Sequence, residues 1–177
     1  MRSTIAAATI LALLFLTTAQ ADVAPFGVRI GVATLEEVRS VVGSKTRLTD
    51  VGINKWSDGP MLRAQGSELG IEGLQRATFI FDPGNKLVGV LLSLPNTRFD
   101  SIKSSLQEKY KLVDEKIPFV GNKSARFRDG PVSIEVKAPH LSFDMEVNYI
   151  HAELQAKFDQ ASQAEQAQQK KTQTDSL

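Results

Sequence analysis

Few residues in this chain have types and spacings that could do chemistry. Its two histidines, His140 and His151, flank an alternating segment, and no cysteine or carboxylate cluster joins them at metal-ligand spacing. His140, beside Pro139, reads as a turn residue. Glu135, Asp144 and Glu146 are a conceivable set of acids for hydrolysis. Strand alternation, however, puts all three on one outward face near Lys137, the pattern of a solvated sheet with cross-strand ion pairs. The chain contains no G-x-S-x-G elbow, no glycine-rich phosphate loop opening a helix and no H-E-x-x-H pair. These residues therefore predict no catalytic group, no metal site and no cofactor. Recognition remains. Trp56, the only tryptophan, stands beside Lys55 just before a turn, and Lys123, Arg126 and Arg128 form a small basic cluster. Trp56, Lys55, Arg126 and Arg128 are the interaction candidates, because a rigid aromatic buries much area at little entropic cost. A second reading has the Trp56 ring folded down over an open end of the core, and the basic cluster as plain solvated surface. The glycine-rich loop Gly66 to Gly73 is another place where a partner could dock.

Several elements must position these residues. Lys86 to Leu94 (KLVGVLLSL) is apolar on both faces, which predicts a central strand covered on both sides. Leu74 to Phe81 precedes it across Asp82-Pro83-Gly84-Asn85, whose proline fixes φ and whose Gly or Asn accepts a positive φ, so the two form an antiparallel hairpin. Two helices are predicted. One starts at Thr34, which makes a capping box with Glu37, carries the stripe Leu35, Val38 and Val42, and stops at a left-handed Gly43. The other runs from a Thr97 cap to Tyr110 with Phe99, Ile102, Leu106 and Tyr110 buried. Further strands are expected at Phe26 to Ile30, Arg47 to Trp56, Met61 to Gln65, Lys111 to Phe119 (broken by Pro118), Ala125 to Arg128, Val132 to Lys137 and Phe143 to Ile150. In the last of these Phe143, Met145, Val147 and Tyr149 point inward. The fold class is α+β: antiparallel sheet with two helices packed on it, in a single domain spanning residues 22–150. Beyond it, residues 151–177 are rich in Ala, Gln and Lys, with only Leu154 and Phe158 as an apolar patch. That composition predicts a helix fraying into a disordered tail.

The first residues and the composition bear on location. Arg2, the apolar run Ile5 to Leu16 and Ala19-Gln20-Ala21 have the layout of a secretory signal peptide over residues 1–21, with cleavage after Ala21. The run is short of the roughly 20 residues needed to span a bilayer, so no stable membrane anchor is expected after cleavage. Without Arg2, 20 basic residues face 20 acidic ones, which argues against nucleic acid or an anionic membrane surface as the main partner, since both demand a basic excess. Cysteine is absent, so stability has to come from packing rather than disulfides.

Sliding the chain on itself by about 64 residues lays Val28, Ile30, Leu35, Val38 and Val42 over Leu92, Leu94, Phe99, Ile102 and Leu106. Asp58-Gly59-Pro60 recurs as Asp129-Gly130-Pro131. The pattern predicts a tandem α-β-β-β arrangement with repeats over residues 26–94 and 88–150. The segment Ile30-Gly31-Val32-Ala33-Thr34-Leu35-Glu36-Glu37-Val38 through Val42-Gly43 resembles the G-x-x-T-x-x-x-V…G helix entry of SmpA/OmlA-type outer-membrane assembly lipoproteins. More broadly it resembles tandem-repeat proteins like β-lactamase inhibitory protein. The resemblance implies a small helix on an antiparallel sheet that binds other proteins without catalysis. The chain departs from it in lacking the lipobox cysteine of the first group and the disulfides of the second. The expected function is a non-catalytic protein-interaction module exported to the periplasm, with an envelope protein of unknown identity as partner. A carrier of a small apolar ligand is the alternative, and a hydrolase the least favoured reading.

Overall fold

A computed structural model describes residues 22–175. The leader and its cleavage position, expected over residues 1–21, lie outside the described residues. Every strand pairs with its neighbour in antiparallel register, and the order across the sheet is β1-β2-β3-β4-β8-β7-β6-β5. The strands are β1 Leu48–Ile53, β2 Pro60–Gln65, β3 Arg76–Phe81, β4 Leu87–Pro95, β5 Lys111–Lys116, β6 Lys123–Asp129, β7 Val132–Ala138 and β8 Asp144–His151. Three helices accompany them: α1 Leu35–Val41, α2 Phe99–Gln107 and α3 Ala152–Asp175. A helix followed by four meandering strands thus occurs twice, and the two meanders meet edge to edge where β4 pairs with β8. The α+β class is as expected. Each meander has four strands where the sequence predicts three. Consequently the two Asp-Gly-Pro tripeptides do not occupy matching turns, the first lying between β1 and β2 and the second between β6 and β7.

Because successive side chains alternate across a strand, register alone sorts the sheet into two faces. One inner row runs Leu62, Phe79, Val90, Tyr149, Ile134 and Phe127 through consecutive pairings. These residues join Val38 and Val42 of the first helical segment and Phe99 and Leu106 of α2 in one continuous core. β4 is central as predicted. Its inner residues Val90, Leu92 and Leu94 face that core, while Val88 on the other side meets Ile80 and Leu154 in a smaller cluster. The β3–β4 turn uses Asn85, with φ of 63°, for its left-handed position.

Several local expectations fail for identifiable reasons. Phe26 to Ile30 is no strand, since Pro25–Gly27 forms a 3₁₀ turn with Phe26 and Gly27 at positive φ, although Val28 and Ile30 are buried. Thr34 caps α1 by accepting from the Glu37 amide. Gly43 ends that helix for lack of room and not for handedness: a Cβ there would stand 2.1 Å from the Arg39 carbonyl oxygen. Thr97 caps nothing. Asn96 is drawn to the Phe143 and Ser142 carbonyls, so the chain enters α2 through a 3₁₀ turn, Asn96–Arg98, and the helix begins at Phe99. Phe143 points outward and is 92% exposed, because its carbonyl is held by Asn96 and β8 starts only at Asp144. The C-terminal segment, expected as a helical or disordered tail, is helical through Asp175.

Candidate functional site

The outer face of the sheet brings the sequence candidates together. In one row stand Met61, Ile80, Gly89, Ile150, Ser133 and Arg128; in the next, Arg63, Thr78, Leu91, Asn148, Glu135 and Arg126. The first row is apolar from Met61 to Ile150 and polar beyond it, whereas in the second Leu91 is the one apolar residue, so apolar character is confined to the part of the face near the start of β4. α3 leaves the end of β8 and lies over the apolar part. His151 starts it by accepting from the Glu153 amide through Nδ1, and its ring packs on Gly31, where a Cβ would approach within 2.9 Å. Gly89 lets the helix come close, since a Cβ there would sit 3.1 Å from Leu154 Cδ2.

Trp56 meets α3 from the other side. Its loop is built on buried Asn54, whose Oδ1 accepts from the Trp56 and Ser57 amides while its backbone bonds Gly59 and Asp58. Asp58 adopts a positive φ of 59° to close the turn. So held, the Trp56 ring stands edge-on to Phe158 at a centroid distance of 5.3 Å, with Lys55 Nζ 4.4 Å from the ring centre. Lys157 Nζ adds a hydrogen bond to the Ser57 carbonyl. The tryptophan is half-buried against this helix, not lowered onto the main core and not free in solvent. Between Trp56, Phe158 and Leu154 on one side and Glu135 and Lys137 on the other runs an open groove of about 260 Å³, with Leu91, Ile150 and Asn148 along its floor. Asn148 Oδ1 is buried there without a hydrogen-bond partner among the described residues. A groove of this size, half apolar with one polar floor group, suits a single inserted side chain or a small amphipathic molecule.

Arg126 and Arg128 lie on the polar side. Glu135 holds Arg126 Nη2 at 3.4 Å and Lys137 Nζ at 2.9 Å, while Arg128 lies exposed in the row that leads back to Ser133. The three acids do not converge. Asp144 Oδ1 accepts from Gln75 Nε2, and Glu146 accepts weakly from Asn148. His140, whose amide bonds Asn122 Oδ1, and His151 sit at opposite ends of β8. Among the described residues no three His, Asp or Glu side chains gather as a metal site, and no helix is long and apolar enough to cross a membrane. Clear displacement of ionisation falls on the two tyrosines of the inner side. Burial, and then the neighbouring Tyr110, pushes Tyr149 well above the usual phenol range; burial, Asp129 and Asp22 raise Tyr110.

Of the sequence candidates, Trp56 borders the groove, Lys55 stands over its ring, Arg126 and Arg128 stand beyond the polar wall, and the glycine-rich loop lies apart from the groove with Ser67, Glu68, Gly70, Glu72 and Gly73 exposed. Its base is anchored, since Leu69 and, just beyond it, Leu74 are buried in the main core, and Gly66 packs so closely on Leu74 that a Cβ would meet its carbonyl. Leu91, Asn148 and the covering pair Leu154 and Phe158 went unrecognised as site residues. The one available signal was the i, i+4 spacing of Leu154 and Phe158 in an otherwise polar segment. Comparison with family models, with curated proteins and with solved structures returns no match for this chain.

Proposed function

We propose that the protein is an exported, non-catalytic interaction module of the cell envelope, and that it binds another protein through the outer face of its sheet. The observation that carries this reading is the placement of Trp56 and of Arg126 and Arg128 on that one face, on either side of an open groove. The inner face is consumed by packing, whereas the outer face offers an aromatic anchor held in place by Asn54 and a charged rim, the usual division of a recognition surface. The leader read in the first residues supports export, and the twofold recurrence of a helix with four strands supports an origin by internal duplication. Recovery of partners from an envelope extract tests the reading. Wild type should retain a partner that both Trp56→Ala and the surface variant Arg126→Glu/Arg128→Glu lose. Equal recovery by all three would exclude this face.

The groove itself favours a second reading, a carrier for a small apolar molecule. Trp56 is the sole tryptophan, so its emission reports occupancy directly. Saturable quenching or a blue shift on titration with an anilinonaphthalene sulfonate probe, abolished in Leu91→Glu, would favour the carrier over the interaction module.

A further inference from the structure

The opposite end of the sheet carries a feature that the outer-face reading does not use. Two loops project there, residues 117–122 between β5 and β6 and residues 139–143 between β7 and β8. Their apolar side chains are bare: Phe119 is 105% exposed, Leu141 94% and Phe143 92%, with Ile117 and Val120 also exposed. Apolar side chains this open are unusual together, since isolated surface hydrophobes are ordinary but clusters mark contact sites. They are also held in relation to one another. Asn122 Oδ1 accepts from the His140 amide and ties loop to loop, while Asn96 fixes Ser142 and Phe143 by their carbonyls and Ser142 closes on Asp144. The tips are therefore presented by a supported base.

Their shape and surroundings distinguish the occupants. Exposure near 100% means that each of these three side chains has lost almost no area to its neighbours, so the tips are separate prongs and not a smooth patch. A protein partner would need pockets matched to each prong, whereas hydrocarbon receives prongs at any spacing. Two lysines flank the first loop: Lys116 is exposed, Lys123 is half-buried with Nζ 5.6 Å from the Phe99 ring centre, and neither has an ion pair among the described residues. Of the nearby acids, Glu115 is paired with Lys103 and Asp144 accepts from Gln75, while Asp100 lines the cavity that Lys123 and His140 share. Apolar tips beside two lysines that have no carboxylate partner match the acyl boundary and the phosphates of a lipid surface.

We propose that Phe119, Leu141 and Phe143 insert into the interfacial layer of a phospholipid bilayer, with Lys116 and Lys123 against the headgroup phosphates, making the protein a reversible peripheral membrane binder. No tip residue lines the groove, so the two bindings are separable. The test places a reporter at the tip. Phe119→Trp should shift to the blue and be quenched by brominated lipid when mixed with vesicles of phosphatidylcholine and phosphatidylglycerol. Wild type, whose one tryptophan is Trp56, should change little. Phe119→Ser/Phe143→Ser should lose roughly tenfold or more in vesicle partitioning, with circular dichroism and melting temperature unchanged because both side chains are already in water. Lys116→Gln/Lys123→Gln should weaken binding to the anionic vesicles more than to pure phosphatidylcholine. Absence of vesicle binding, binding with unchanged tip emission, or a concentration-dependent dimer that disappears in the double serine variant would each overturn the proposal, the last by showing that a second copy covers the prongs.

Discussion

The two ends of the sheet are built from corresponding parts and treated in opposite ways. At one end the β1–β2 loop and the β3–β4 turn lie under or beside α3: Trp56 meets Phe158, Lys157 bonds the Ser57 carbonyl, Glu153 faces Lys86, and Val88 is buried beneath Leu154. At the other, the loops after β5 and β7 have no such cover, and their apolar residues stand in water. The difference follows from the chain having one C-terminal helix for two meanders. It shows that apolar residues in matching loops need not serve the same purpose. Where α3 covers them they add stability; where nothing does, they cost solubility, and a use has to be sought for them.

Substitutions can break or sharpen this contrast. The largest effect belongs to the seam that both halves share. Leu92→Asp puts an unpaired carboxylate into the core between β3 and β8, at a cost of about 4 kcal/mol or more, enough to unfold both halves together. A soluble Leu92→Asp variant with a cooperative melt would show that the seam is not central. Next, Leu154→Ala should strip the covered end. Leu154 is buried against Ile80 and Val88, so a loss of about 2–4 kcal/mol is expected in urea unfolding, together with a red shift of Trp56 emission as α3 loosens. An unchanged urea midpoint would mean that the helix contributes nothing.

The third effect depends on pH. The folded state holds Tyr149 and Tyr110 protonated above their ordinary range, so the stability linked to them is fully present below about pH 10, the ordinary phenol value. As pH rises past it the unfolded chain ionises and the folded chain does not, and stability falls by up to about 1.4 kcal/mol per pH unit for each tyrosine. Tyr149→Phe should make that alkaline decline shallower in denaturant titrations, leaving the part due to Tyr110. An identical slope would refute the assignment. The smallest effect lies at the bare end, where Phe143→Ser should move stability by less than about 0.5 kcal/mol. A large destabilisation there would mean that the prongs are covered after all.

Much of the frame was legible, because alternation and turn chemistry are local. Val132 to Lys137, the Asn85 turn and the Thr34 cap each carry their cause within a few residues. Phe143 did not, since its apolar character fitted the alternation of β8 while its orientation is set by Asn96, a residue far away in the chain. Gly43 was read from its commonest reason, a left-handed stop, when the operative one is contact with the Arg39 carbonyl. The groove was the least legible part. Leu91 and Asn148 come from strands whose pairing no local pattern specifies, and the roof comes from a helix whose composition alone argues for disorder. What the residues did disclose was Trp56 and the basic strand, though not that they share one face.

The pairing of β4 with β8 also governs how the molecule can be assembled. Six of the seven strand pairings join chain neighbours, and only this one reaches across the sequence. Nearly all the entropy of closing long loops is therefore concentrated in a single event, while each meander can zip up through short turns. The seam that forms the middle of the finished sheet would thus be its last part to form, and until it closes β4 and β8 are both open edges. Until that pairing forms, β4, with five buried apolar side chains, carries an unpaired backbone edge.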